Sequence, residues 1–268
     1  MCFKRWFTHD PVVPVQIDPA NRRLLSFTIN DYVGSINDLN GCNNDGKQLK
    51  ETLLNYWPDF DVRRFEDHHA KLDTFKSEVA NSIKVLEPGA TVLILPDSCF
   101  SGTVTRLFNP KREDHQTRNR FYQQPGVKVQ PKIKTGVFAG RGDIRWVVIS
   151  GCGETEYSAD AYIDGEYHGA FTFYACKTLK PGITYRQWYN EIRKYLPGTA
   201  FEQEPSLEGP DYLLDQLVFS TQTLAIHNST HGTQLAGNGG DEPIDEAICL
   251  YDGNLRDDDY NLLLQNIK

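Results

Sequence analysis

Residues 97–102 read Asp-Ser-Cys-Phe-Ser-Gly and follow the apolar run Thr-Val-Leu-Ile-Leu-Pro at 91–96. A buried strand that ends on a carboxylate and runs into a small-residue turn holds Cys99 at its carboxyl end, where open α/β sheets place their ligands. That is the setting of a nucleophile. A free thiol is only about a few per cent thiolate at neutral pH, so Cys99 needs a base beside it. The chain carries seven histidines, at 9, 68, 69, 115, 168, 227 and 231. His231 stands out because it follows an apolar strand and a Ser-Thr step, and because Gly232 after it lets a backbone N–H approach a developing oxyanion. His227 is the nearest competitor, and a lone strand-end histidine is more often a surface or capping residue. The Asp-Ser-Cys turn reverses those odds.

Two further groups carry ionisable chemistry. Residues 240–246 (Gly-Asp-Glu-Pro-Ile-Asp-Glu) and 256–259 (Arg-Asp-Asp-Asp) cluster carboxylates that suit a hard cation such as Ca²⁺, a solvated face, or the first turn of a helix. Their spacing matches no EF-hand loop. Residues 40–45 (Asn-Gly-Cys-Asn-Asn-Asp) form a turn feeding a helix, in which Asp45 is readable as a first-turn acid, and Asp160 is equally open to either reading.

The elements that must position these residues alternate. Leu24–Asn30 reads as a strand, Asp38–Tyr56 as a helix with leucines at 39, 49, 53 and 54, Phe60–Phe65 as a strand, and Lys71–Leu86 as a helix stopped by Pro88-Gly89. With the strand ending at Asp97, this β-α alternation predicts a largely parallel sheet covered by helices on both faces. From Thr103 to Arg145 the apolar period dissolves into Arg, Lys, Gln, Pro and Gly, which predicts a long exposed basic loop open to proteases that prefer Arg or Lys. Beyond it come a strand at Trp146–Ser150, helices around Gly169–Leu179 and Thr184–Tyr195, short strands at Leu217–Phe219 and Thr223–Ile226, and a closing helix at Asp258–Ile267.

The chain of 268 residues is long enough for a full core, at 39% hydrophobic and 24% charged. Its net charge of −8 disfavours a general nucleic-acid or membrane-surface binder. No apolar run approaches the roughly 20 residues of a membrane span, and residues 1–20 lack a secretory signal. The six widely spaced cysteines form no CxxC pair, so free thiols in a reducing, cytoplasmic setting are expected.

Taken together, five separated segments resemble a metacaspase, a caspase-fold cysteine peptidase. They are Ile29–Tyr32 with Leu39–Asp45, Asp97–Gly102, Ser150–Cys152 with Ser158–Asp160, Gly165–Thr172, and Ser229–Gln234 with Gly240–Glu246. The resemblance covers most of residues 22–268, leaving 1–21 as an N-terminal extension. It implies a caspase-like α/β fold with a mostly parallel six-stranded sheet. It also implies Cys99 as nucleophile, His231 as general acid and base, and the N–H groups of Gly232 and Cys99 as oxyanion donors. Cys42, Asp45, Asp97 and Ser229 match the family's acidic specificity pocket, so peptides with Arg or Lys before the scissile bond are the implied substrates. Asp245, Asp257 and Asp258 match its Ca²⁺ site, and the loop 103–145 its autocleaved linker. A monomer is implied. The order departs from the family: the His-Gly segment stands last instead of before the cysteine strand, as in a circular permutation. Phe100 replaces the histidine usual after the cysteine, and Thr230 a smaller residue before His231; neither removes a catalytic group.

Two other classes stay open on the sequence. A catalytically silent caspase-like regulatory module would be expected to have lost the cysteine or the histidine, and both are present. An acyl transferase using the same dyad would not require an acidic pocket.

Overall fold

The computed structural model describes residues 22–33, 37–98, 117–127, 146–152, 158–237 and 244–265. The extension 1–21, Cys99, and most of the segment 103–145 lie outside the described residues. In chain order the elements are β1 (Arg22–Thr28), α1 (Cys42–Tyr56), β2 (Asp61–Glu66), α2 (Leu72–Lys84), β3 (Thr91–Asp97), β4 (Thr117–Asn119), β5 (Phe121–Tyr122) and β6 (Trp146–Ser150). They continue with β7 (Ala159–Ile163), β8 (Glu166–Gly169), α3 (Ala170–Thr178), α4 (Tyr185–Ile192), β9 (Ser206–Glu208), α5 (Asp211–Leu214), β10 (Thr223–Ser229), β11 (Gly232–Ala236), β12 (Ile244–Leu250), β13 (Gly253–Arg256) and α6 (Asp257–Leu264).

The central sheet has six strands in the order β2-β1-β10-β3-β6-β9. Its pairings are parallel except at β9, which runs antiparallel to β6. This is the α/β architecture expected from the alternation of strands and helices. Apolar side chains along each strand divide between two cores, because successive residues point to opposite faces. Leu24, Leu93, Leu95, Val147, Ile149 and Ala225 meet Leu49 and Leu53 of α1 and the helices α3 to α5. Leu25, Phe27, Val92, Ile94, Val148, Leu224 and Ile226 meet Phe75, Val79 and Ile83 of α2, together with β12 and α6. A strand covered on both faces must be apolar throughout, and all seven residues of β3 and of β10 are buried.

The helices follow their buried stripes. In α2, Phe75, Val79, Ser82 and Ile83 recur at helical spacing. The helix stops before a turn in which Gly89 has φ +97°, a left-handed conformation that glycine adopts without strain. The start of α4 is fixed by a capping box between Thr184 and Gln187. No helix among the described residues is long and apolar enough to cross a membrane.

Two smaller sheets flank the carboxyl edge. In one, β11, β12 and β13 form an antiparallel meander, with β5 parallel to β11. In the other, β4 pairs antiparallel with β7 of the β7–β8 hairpin.

Two expectations need correction. Leu217–Phe219 is not a strand: Leu217 makes a single bridge to Thr184, and Phe219 turns at φ +57°. The apolar character there serves as a plug, since the Phe219 ring meets Trp57 and Phe60 edge-on at 4.9 and 5.0 Å and its carbonyl accepts from Arg22 Nε at 3.0 Å. The second concerns the basic loop 103–145. Its described part contains β4 and β5, and Arg120 between them is 0% exposed. Arg120 is drawn inward by a group of carboxylates whose own sequence positions lie far from it.

Candidate active site

The site begins where parallel strands stop together. In the register of the sheet Thr28 lies beside Ser229 and Ser229 beside Asp97, so β1, β10 and β3 end on one edge. Beyond Ser229 the chain continues through Thr230 to His231 and Gly232; beyond Asp97 it continues through Ser98 to Cys99 in sequence. The two expected catalytic residues therefore follow a registered pair by the same number of residues.

His231 is 5% exposed. Its backbone N–H donates to Tyr32 Oη at 2.8 Å, and its ring lies 5.0 Å from that of Tyr32. Nε2 stands 2.7 Å from the Asn37 carbonyl. A carbonyl only accepts, so this contact puts the proton of a neutral ring on Nε2 and the lone pair on Nδ1. Nδ1 has no hydrogen-bond partner among the described residues. Burial lowers the pKa of His231 to about 4, against the opposing pull of the Asn37 carbonyl and with help from the positive charge of Arg120. The imidazole is thus neutral across the physiological range, the form in which it accepts a proton. His227, the competitor in the sequence, is an interior residue instead: Nδ1 meets Ser26 Oγ at 3.0 Å and Nε2 meets Thr172 Oγ1 at 3.2 Å.

Below this edge the structure brings Asp45, Asp97 and Asp160 around the guanidinium of Arg120, with N–O distances of 2.8, 3.2 and 3.1 Å. Nη1 also donates to Ser229 Oγ at 2.6 Å and to the Asp97 carbonyl at 3.2 Å. All four charged side chains are 0% exposed. An unpaired charge there would cost several kcal/mol, roughly, so the cluster persists only because each member is paired and hydrogen-bonded. Each acid has its own anchor. Asp45, from the first turn of α1, accepts the Gly169 N–H at 3.0 Å and the Ser229 hydroxyl at 2.7 Å. Asp97 accepts the N–H and hydroxyl of Thr172 at 3.0 and 2.7 Å, and the Ser158 hydroxyl. Asp160 accepts the N–H groups of Asn40 and Gly41 at 2.8 and 2.9 Å.

The electrostatics follow from burial and neighbours. Burial raises the Asp45 carboxyl while the Arg120 charge holds it down, and the first effect wins. Burial would also lower the pKa of Arg120, but the surrounding carboxylates of Asp97, Asp45 and Asp160 outweigh it and hold the guanidinium well above its ordinary value. Cys42 belongs to the same group; burial pushes its thiol far up, so it stays neutral and the carboxylates supply the negative charge.

The backbone of Arg120 is gripped as well. Its N–H donates to the Ser158 carbonyl at 3.0 Å, and its carbonyl accepts from the Gly232 N–H at 2.9 Å. On one side Thr117–Asn119 pair antiparallel with Ala159–Ala161, and on the other Phe121 and Tyr122 pair parallel with Gly232 and Thr233. Thr233 Oγ1 adds a bond to the Tyr122 carbonyl at 2.6 Å. A peptide segment therefore crosses the sheet edge with an arginine side chain pointing down and its carbonyl on a backbone donor.

The structure gathers Cys42, Asp45, Asp97, Ser229, His231 and Gly232 at this edge, while Cys99 lies outside the described residues. It does not bring the acids assigned to calcium together. Asp245 is buried and ion-paired with Arg256, whereas Asp257 and Asp258 stand in the first turn of α6. Among the described residues no group of three or more His, Cys, Asp or Glu side chains could hold a metal ion. The set does not fit a bound cation in this arrangement, because Arg256 already neutralises Asp245. As expected from the cysteine spacing, the described cysteines Cys42, Cys152, Cys176 and Cys249 are buried and form no disulfide with one another. Sequence reasoning missed Asp160 as a pocket wall and Arg120 as its occupant. It also missed Gly169, where a Cβ would overlap the Asp97 carboxylate and the Arg120 guanidinium.

A neutral imidazole, a backbone donor beside it and an acidic seat filled by an arginine thus lie together on the carboxyl edge of the mostly parallel sheet of an α/β protein. No protein-family model matches the chain. In sequence it is similar to Metacaspase-1B of Aspergillus terreus, 29% identical over 157 residues, which is 47% of this chain and 41% of that one. It is also similar to Metacaspase-1B of Aspergillus oryzae, 26% identical over 169 residues, which is 51% of this chain and 40% of that one. The chain thus spans about two fifths of the length of the curated relatives it matches. Among solved structures, a Geobacter sulfurreducens protein superposes with a TM-score of 0.49 at 16% identity, covering 75% of this chain and 99% of that one. The structure titled pro-sf-caspase-1 superposes with a TM-score of 0.43 at 12% identity, covering 82% and 98%.

Proposed function

We propose that this chain is a cysteine endopeptidase that cuts after arginine, and less well after lysine, with Cys99 and His231 as its catalytic dyad. The observation that carries the proposal is the way Arg120 is held: three carboxylates take its side chain while the Gly232 N–H takes its carbonyl. That combination recognises a cation and polarises the adjacent carbonyl. The similarity to metacaspases supports the same reading.

The chemistry is then as follows. Nδ1 of His231 accepts the Cys99 thiol proton, and the sulfur attacks the carbonyl carbon of the arginine, forming an S–C bond. The oxygen takes up the negative charge and is stabilised by the Gly232 N–H, joined by the Cys99 N–H. When the C–N bond breaks, the leaving amine receives the proton from His231. Water, deprotonated by the same imidazole, hydrolyses the thioester and returns the thiol. The order of segments is part of this reading: β10, which delivers His231, lies between β1 and β3 although it comes late in the chain, as a circularly permuted metacaspase requires. Calcium activation belongs to the reading only as a property of the family it resembles, and no step above uses it.

Hydrolysis of short fluorogenic peptides ending in Arg or Asp tests the proposal. Arg-ended peptides are expected to be turned over, and Cys99→Ala or His231→Ala to abolish turnover without loss of the folded circular dichroism spectrum. Turnover that survives either substitution removes the dyad; preference for the Asp-ended peptide removes the pocket assignment. An inert protein would instead favour the regulatory module.

A further inference from the structure

Behind the acidic seat stands a histidine outside the dyad. His168 lies in β8 just before Gly169 and is 6% exposed. Its Nδ1 is 3.3 Å from Asp45 Oδ1, while Asp45 Oδ2 receives Arg120 Nη2 and the Ser229 hydroxyl. Its Nε2 faces Glu166 Oε2 at 3.9 Å, and that carboxylate is 63% exposed. Both ring nitrogens therefore face acids, one sealed inside the protein and one in solvent, and a ring so placed is suited to holding a second proton. The other ionisable groups around it come from the neighbouring elements. Asp160 of β7 sits in the register beside Gly169, and Arg120 meets both Asp160 and Asp45. Towards α3 the Phe173 ring lies 5.5 Å from that of His168, with Lys177 Nζ 5.8 Å from the centroid of the same phenyl ring. Cys42 of α1, beside Asp45, is kept neutral by burial.

With Arg120 in place, three buried carboxylates share one guanidinium. When a guanidinium leaves, the same carboxylates are left without a counter-charge at 0% exposure, and buried ionisable groups in that position take up a proton instead. From the placement of His168 we infer that the Asp45–His168 pair is the seat's standby counter-charge, taking up one proton when a guanidinium leaves and releasing it when a guanidinium enters. The exchange balances: one cation goes in and one proton goes out, through Nε2 to the solvent beside Glu166, and only N–H and O–H bonds change. A carboxylate and an imidazole this close titrate as a unit, so the proton belongs to the pair. Burial already holds Asp45 above its ordinary value with Arg120 present, against the Arg120 charge and the His168 hydrogen bond, which is the direction the exchange needs. The seat therefore favours a guanidinium less as pH falls. This requires only the seat and its guanidinium, and stands apart from the peptidase reading.

The experiment uses the full chain with Arg120→Ala, which empties the seat, and methylguanidinium as the probe. A site that gains a proton on folding loses that stabilisation as pH rises, so the melting-temperature deficit of Arg120→Ala against wild type is expected to widen from about pH 6 to pH 8. Methylguanidinium is expected to close the deficit most at the upper end. Titration calorimetry in two buffers of different ionisation heat is expected to show about one proton released per methylguanidinium near pH 6.5, with affinity rising roughly tenfold per pH unit there. Adding His168→Phe is expected to bring the release below about one third of a proton, while His168→Phe alone, with Arg120 in place, reports whether the substitution is tolerated by the fold. Should Arg120→Ala stay unfolded with the probe present, Arg120→Gln with Asp97→Asn removes one acid together with the cation and keeps the Asp45–His168 pair for the same titration. Binding without proton release, a deficit independent of pH, or the same proton count after His168→Phe overturns the inference. None of these measurements uses peptide turnover, so failure of the peptidase reading and failure of this inference are told apart.

Discussion

Replacing arginine by lysine before the scissile bond of an otherwise identical peptide probes the pocket directly. The guanidinium of Arg120 uses two nitrogens: Nη1 reaches Ser229 at 2.6 Å and Asp97 at 3.2 Å, while Nη2 reaches Asp45 at 2.8 Å and Asp160 at 3.1 Å. A lysine ammonium is one point charge with no planar fork, so it sits on one side of the seat and leaves the other incompletely paired. Losing one charge-assisted bond costs about 1.5–3 kcal/mol, which is roughly 10- to 150-fold in kcat/KM. Citrulline, which keeps the shape and discards the charge, leaves three buried carboxylates unneutralised and is expected to fall further. The assay is kcat/KM for the three peptides on the same enzyme preparation. Lysine within threefold of arginine, or citrulline equal to either, would refute the two-sided seat.

Other expectations can be checked as readily. Gly169→Ala places a methyl group against the Asp97 carboxylate and the arginine guanidinium, so turnover of Arg-ended peptides should fall about 10- to 100-fold at a strain of roughly 1–3 kcal/mol; unchanged turnover would show that the seat relaxes. Both His227 and His231 are held by burial at about 4 instead of 6.5. The unfolded chain therefore binds more protons in the window between these values, and stability is lost as pH falls from 6.5 towards 4, by on the order of 2–3 kcal/mol for each histidine. Urea midpoints across this range should fall less steeply for His227→Gln than for wild type, whereas parallel profiles would contradict the linkage. Asp45, held above its ordinary value, acts in the opposite sense and is unchanged between these two proteins. Calcium binding by Asp245, Asp257 and Asp258 requires Asp245 to exchange Arg256 for the ion, so Arg256→Ala should strengthen any calcium-dependent rise in melting temperature; an equal rise in both proteins would separate that site from calcium.

Much of this was legible because burial on both faces leaves an unmistakable mark. The uninterrupted apolar run before Asp97 announced a central strand, and the stripes of α1 and α2 announced helices. Register relates the two strand ends: Cys99 and His231 are 132 positions apart in sequence, but each follows one member of the Ser229–Asp97 pair. The occupant of the pocket was not legible. Arg120 stands among basic, polar residues with no apolar period, and only the convergence of Asp45, Asp97 and Asp160 explains its burial. Asp160 was ambiguous for the same reason, since its partners Asn40, Gly41 and Arg120 are local to it only in three dimensions. Leu217–Phe219 misled because a short apolar run looks the same whether it extends a sheet or closes the end of a core.

The insertion of β10 between β1 and β3 also governs when the molecule can exist. During synthesis the first three parallel strands emerge with a gap at the centre of their sheet, and contacts such as Ser26 with His227, 201 residues apart, must wait until β10 is made. Such long-range closure is slow and leaves apolar strand faces exposed meanwhile. It also means that a nascent chain that has not yet reached β10 lacks His231 and the Gly232 donor along with the centre of its sheet.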